Sequence, residues 1–264
     1  MPIITLTSDW GTKDPVAAII KGIILSNIPN AVIVDISHEI ASFDYMQAHY
    51  VLKAAFPFYP KNTIHLVGLE NNNNKESPNP VAIKFMDQYF IGNDIGIFSL
   101  MFGDITEDIV EIDVSVLENR MFLVGEVLVK AAIHLARGGK LEDLGTKKDK
   151  LTKSLLPLPR FESNSITGNV IYIDKFENLI TNISKELFEK VGQGRKFNII
   201  PKSPRNNFRR FAKAYYDINE AELFAYFNTE DLLEIAMSLA NAASLLGVKV
   251  NDNVRIEFDD SSNR

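Results

Sequence analysis

The chain predicts two domains, an α/β N-terminal domain with a largely parallel sheet and a smaller antiparallel β domain behind it. Three observations lead there. Short β-branched runs alternate with helical patterns from Ile3 to Leu69, the signature of strand–helix–strand units. The stretch Leu151–Pro159, broken by Pro157 and Pro159, reads as a linker. Beyond it the dominant pattern is of strand-length runs separated by turns. The boundary is placed near Arg160, giving domains 1–159 and 160–264.

The elements follow in order. Ile3–Thr7 is a buried strand that breaks at Asp9-Trp10-Gly11. Pro15 starts a helix through Leu25, with Ile19, Ile20, Ile23 and Ile24 as apolar positions. Pro29-Asn30 is a turn, Ala31–Ile36 the next strand, Tyr45–Phe56 a helix and Ile64–Leu69 a third strand. Such sheets bind ligands outside the carboxyl ends of their strands, where Asp9, Asp35 and Glu70 fall. Pro80–Phe85 and Gln88–Gly92 form a hairpin, and Gly125–Ala136 a helix closed by Gly138-Gly139. In the second half Gly168–Ile173, Phe197–Ile200, Glu222–Phe227 and Val254–Phe258 are strands. Leu232–Leu246 fits either one long helix or a strand leading into a shorter helix, and periodicity does not arbitrate.

Composition narrows the function. At 264 residues with 46% hydrophobic and 23% charged residues, the chain has the make-up of a soluble globular protein. A net charge of −6 offers no basic field for nucleic acid or anionic lipid. The chain has no cysteine, which excludes disulfides, a thiolate nucleophile and cysteine zinc sites and suits a cytoplasmic location. No apolar run reaches the roughly 18 residues of a membrane span, and the N-terminus lacks the pattern of a signal peptide.

The residues that can carry chemistry are few. Asp9, at a strand end, can hold the two hydroxyls of a ribose; it can equally cap the helix that begins a few residues on. Trp10 is the only tryptophan, beside a loop carboxylate. Phe43 and Phe176 can each offer a flat face to a purine, although with seventeen phenylalanines any one is more simply read as packing. His38 closes a turn or joins a site, whereas His49, His65 and His134 lie inside elements and read as structural. No histidine pair has metal-ligand spacing, and neither a Gly-rich phosphate loop nor a Gly-x-Ser-x-Gly elbow is present.

Taken together, Thr7-Ser8-Asp9-Trp10-Gly11, Lys21-Gly22, Pro29–His38 and Tyr59-Pro60 resemble the N-terminal half of the S-adenosyl-L-methionine (SAM) hydroxide adenosyltransferase family, which also includes the SAM-dependent fluorinase and chlorinase. Asp174–Asn182 resembles its Asp-x-Phe-Gly-Asn-hydrophobic-x-Thr-Asn motif, and Leu233–Ala236 with Asn241-Ala242-Ala243 its C-terminal signature. The resemblance implies a β-barrel-like C-terminal domain, a homotrimer, and sites between the N-terminal domain of one subunit and the C-terminal domain of the next. It implies strand then short helix for Leu232–Leu246. It places the ribose on Asp9 and the nucleoside pocket at Phe43, Phe176 and Asn178. With Trp10, Asp14 and Asp174 these make the expected ligand-binding set, for SAM or adenosine as substrate or ligand, with no cofactor and no metal.

The departures fall where chemistry is expected. Relatives that use water carry Asp-Pro-Gly-Val-Gly followed by an arginine, and later Phe-His-Gly-Arg-Asp. Here the first aligns with Glu70-Asn71-Asn72-Asn73-Asn74, with Lys75 the only nearby cation, and the second with Phe122–Glu126, so Leu123 holds the histidine position. The family's Gly-Ser becomes Asn228-Thr229, and its Asp-Asn-Gly becomes Asp94-Ile95-Gly96. Displacement at the ribose C5′ carbon expels neutral methionine, so the protein must chiefly position the nucleophile, but water also needs a base, worth roughly 10²–10⁴-fold. The expectation is a SAM or adenosine binder with hydrolysis weak or lost. The alternatives are a competent hydrolase using Glu70, Lys75 and His38, and a non-enzymatic trimeric interaction module.

Overall fold

In the computed structural model, which describes residues 1–69, 79–104, 108–114, 127–213 and 215–259, the first part of the chain forms a seven-stranded mixed sheet. Its strands are β1 (Ile3–Ser8), β2 (Val32–Ser37), β3 (Ile64–Gly68), β4 (Pro80–Phe85), β5 (Gln88–Asn93), β6 (Ile109–Ile112) and β7 (Gly145–Lys147), in the order β2-β1-β3-β5-β4-β6-β7. The first four in that order are parallel, and the β4–β5 hairpin turns the rest antiparallel. Contacts divide the chain into two units, Met1–Leu155 and Leu156–Arg264.

Alternation along the strands sends the sheet's side chains to two cores. Ile4 and Leu6 pack with Ile20 and Ile24 of α1 (Val16–Asn27) and with α4 (Val129–Ala136) on one face. On the other, Val67 and Phe90 pack with Ala48 and Leu52 of α2 (Tyr45–Ala55) and with α3 (Ile97–Phe102). Asp44 caps α2 by accepting from the Gln47 amide at 2.9 Å, satisfying one donor of its first turn. α3 was not foreseen: it opens on the left-handed Gly96 and runs through a short apolar stretch that reads equally as strand. The linker segment has no regular structure, yet it is anchored, because Leu151 is buried in the second core and the Thr152 amide donates to Asp94.

His65 sits in the middle of β3 with no exposure. Gln88 donates its amide to the carbonyls of Phe56 and Tyr59, so its Oε1 faces His65 Nε2 at 2.5 Å and must accept from it. That leaves Nδ1 to accept from the Thr5 hydroxyl at 2.7 Å. The ring is therefore neutral, as the sequence reading of a structural histidine required, and burial lowers its pKa to about 4.

The second unit is an antiparallel sheet of β8 (Arg160–Phe161), β9 (Ser165–Ile173), β10 (Leu179–Ser184), β11 (Phe197–Pro201), β12 (Leu223–Phe227), β13 (Leu232–Met237) and β14 (Asn253–Phe258). β9 is long enough to pair with β14 through Ser165–Asn169 and with β10 through Val170–Ile173, and so turns the sheet's corner. The edges β11 and β12 are joined by the intervening segment: Phe208 pairs with Ile199, and Arg210 and Ala212 bond to Ala225. This is the barrel-like unit the resemblance implied. An aromatic cluster packs against its aliphatic core, with Phe188 within 5.6 Å of the rings of Phe197, Phe211, Phe227 and Phe258. Leu232–Leu246 resolves into strand β13 followed by α6 (Ala242–Leu246). α5 (Lys185–Gly192) and β10 went unread in the sequence. Among the described residues no helix is long and apolar enough to cross a membrane.

Burial, aided by the charge of Lys53, also lowers the pKa of His49 to about 4. Both histidines thus resist protonation that the unfolded chain accepts near 6.5. The share of stability that these two histidines hold should be complete above pH 6.5 and be lost as pH drops towards 4. Thermal melts across that range check this, and His65→Asn should flatten part of the slope.

Candidate functional site

The chain leaves β1 at Ser8 and turns through Asp9, Trp10 and Gly11, the last in a left-handed conformation (φ +67°). Each neighbour of Asp9 is tied to His38. The Ser8 Oγ lies 2.6 Å from His38 Nδ1, the Gly11 amide donates to the His38 carbonyl at 2.7 Å, and the Trp10 indole stacks on the imidazole at 5.8 Å and 22°. Trp10 also lies against Gly68 at the end of β3, where a Cβ would come within 1.9 Å of the indole. His38 Nε2 is 3.2 Å from Asp35, and Asp35 is bonded by Lys21 at 2.5 Å. Partial burial disfavours the charged carboxylate of Asp35, but the hydrogen bonds and charges of Lys21 and His38 outweigh it and lower its pKa.

Asp9 is half-buried, whereas Asp14 is exposed in the turn before α1. Phe43, on the loop between β2 and α2, is 47% exposed and left-handed (φ +67°). That backbone costs a bulky residue about 1–3 kcal/mol, and such strain clusters at ligand sites. Along the same carboxyl edge, Thr7 Oγ1 and Asn93 Oδ1 are buried without a hydrogen-bond partner.

In the second unit Asp174, Phe176 and Asn178 share the turn between β9 and β10. Asp174 accepts from the Asn178 amide at 2.7 Å and from its side chain at 3.0 Å, while Phe176 is 75% exposed. Glu177 takes a left-handed φ of +61° and accepts from the Ser244 amide at 2.8 Å, which pins the turn to α6. Beneath lies Glu234 of β13, buried and bonded by Tyr226, by Asn228 at 3.2 Å and by Asn178. Burial and the nearby charge of Asp174 raise the pKa of Glu234 despite those bonds. Sequence reading quoted Glu234 only as part of a signature; a carboxylate inside an apolar strand run was the signal for a buried polar role.

Two strand-end frames therefore stand in the chain. One presents an aspartate and aromatic rings, the other an asparagine held by carboxylates beside an exposed phenylalanine. Among the described residues no three His, Asp or Glu side chains are placed to hold a metal ion. Glu70, Lys75 and Leu123 lie outside the described residues.

Residues 4–145 match the model of the SAM hydroxide adenosyltransferase N-terminal domain, and residues 168–255 that of its C-terminal domain. The chain belongs to the SAM hydroxide adenosyltransferase family. It is 28% identical to a protein named (R)-S-adenosyl-L-methionine hydrolase from Methanocaldococcus jannaschii, covering 98% of this chain and 97% of that one. A protein of the same name from Thermus thermophilus is 26% identical over 94% of this chain and 97% of its own. Among solved structures, an uncharacterized conserved protein from Thermotoga maritima is similar at a TM-score of 0.85 and 28% identity, covering 96% of this chain and 99% of its own.

A raised pKa makes Glu234 a liability at high pH: its stabilising proton is kept below 4.5 and lost as pH rises through the raised folded value. Glu234→Gln should remove that share, read as the difference between its melting curves and those of the wild type from pH 4.5 upwards.

Proposed function

We propose that the chain binds SAM or adenosine at a site shared between subunits of a cytoplasmic homotrimer, and that its hydrolysis of SAM to adenosine and methionine is weak or lost. In this reading Asp9 takes the ribose hydroxyls. Phe43, Phe176 and Asn178 hold the base, and Trp10, Asp14 and Asp174 complete the pocket. The observation that carries it is a contrast. The frames around Asp9 and around Asp174–Asn178 are built with tight hydrogen bonding, whereas the residues aligned with the water site are Asn71–Asn74 and Leu123. Asparagine amides can hold a water but do not titrate to take its proton, and leucine can do neither.

A second reading has one observation in its favour: relatives spanning almost the whole chain are named hydrolases. In it Glu70 replaces the family aspartate and Lys75 the arginine. Glu70 reaches about one carbon–carbon bond further, and an ångström-scale misplacement costs about 10²-fold.

Adenosine should bind, and Asp9→Ala should weaken it by about 1.5–3 kcal/mol, the worth of a charge-assisted hydrogen bond; isothermal calorimetry measures both. Heat from neither adenosine nor SAM, on folded protein, would leave the interaction-module reading.

Turnover of SAM should fall far below ordinary enzyme rates of about 1–10³ per second, followed as adenosine release. If release proceeds at an ordinary rate, Glu70→Gln should stop it and spare adenosine binding. Turnover that survives that change would refute this placement of the water site.

A further inference from the structure

We propose that His38 is a positioning residue for Asp9, acting as a clamp that sets where the carboxylate stands; its ligand readout rests on the nucleoside reading above. The argument begins with Asp9's neighbours. Ser8, Trp10 and Gly11 surround the carboxylate in sequence, and each meets a different part of His38: Nδ1, the ring face and the carbonyl. A residue chosen only to close the turn needs the carbonyl alone, which any amino acid supplies. The imidazole adds two contacts that depend on its identity, a hydrogen bond to a fully buried hydroxyl and a flat surface for the indole.

The clamp is itself held from behind. His38 is 4% exposed, its Nε2 lies 3.2 Å from Asp35, and Lys21 fixes Asp35 from α1. The chain Ser8–His38–Asp35–Lys21 therefore runs from the buried end of β1 to the surface of α1. Ser8 is fully buried, so this array of serine, histidine and aspartate positions a neighbour and does not present a nucleophile. A carboxylate whose sequence neighbours on both sides are tied to one rigid ring has little freedom to drift. Displacement by about 1 Å costs about 10²-fold in such constellations.

The test is a double-mutant cycle with adenosine as the probe, read by calorimetry on the wild type, Asp9→Ala, His38→Ala and the double variant. Fluorescence of Trp10, the only tryptophan, is read alongside through iodide quenching. If His38 acts through Asp9, His38→Ala weakens adenosine about tenfold or more, and adds nothing once Asp9 is gone. Trp10 becomes more accessible to iodide, and His38→Asn, whose amide reaches the place of Nδ1, recovers affinity that His38→Gln does not. Losses that multiply in the double variant, or full affinity in His38→Ala, overturn the proposal. Should His38→Ala fail to fold, equal affinities of the Asn and Gln variants overturn it. If the wild type binds no adenosine, the nucleoside reading falls. The clamp then stands or falls on Trp10: more quenching in His38→Ala supports it, and unchanged quenching overturns it.

Discussion

The carboxyl edge of the N-terminal sheet depends on a side chain that is not there. Gly68 ends β3, and any Cβ at that position would stand 1.9 Å from the indole of Trp10. Because the strand is bare, the indole lies against it and meets His38, and the loop bearing Asp9 follows the indole down. Overpacking of this kind is not absorbed locally, since close-packed interiors transmit displacement. A glycine on one strand thus decides where a carboxylate on another can stand.

The C-terminal unit meets a different constraint. Asp174 and Glu234 bring two carboxyl groups into one hydrogen-bonded cluster, which opposes their joint ionisation. Tyr226, Asn228 and Asn178 distribute donors between them and favour the charged form, but burial, with the charge of Asp174, outweighs them and raises the Glu234 pKa. The half-barrel around it is bridged without a further strand, because Phe208–Ala212 bonds to both open edges while Phe208 and Phe211 pack against its core. Bridging of this sort covers part of the edges that antiparallel sheets otherwise expose.

Much of this was legible in the residues. The period-2 and period-3.6 runs located β1, α1, β2, α2, β3 and the β4–β5 hairpin to within about three residues, because each is bounded by proline, glycine or asparagine turns. α3 and β6 were not, being four to six residues long and mostly apolar, too short for either period to show. Periodicity left Leu232–Leu246 undecided, since a buried strand and a buried helix carry the same apolar pattern; only the family resemblance separated them. Asp9 stood out because it follows a strand, whereas Asn178 stood out only through the family motif. Ser8, Asp35 and Lys21 did not point to one another, because their link through His38 spans three elements that sequence order keeps apart.

The reversal of direction at the β4–β5 hairpin has a consequence for how this protein can change. Since β4 starts opposite the end of β5, the chain leaves β3 at Leu69 and returns at Asn79 on the same edge of the sheet, both beside Asn93 and Asp94. No crossover is needed between them. Loop-closure entropy rises only slowly with length, so what is spliced between those two points can be lengthened, shortened or rewritten with little penalty to the sheet. A lineage can therefore exchange that segment as a cassette while selection on folding keeps the surrounding frame intact.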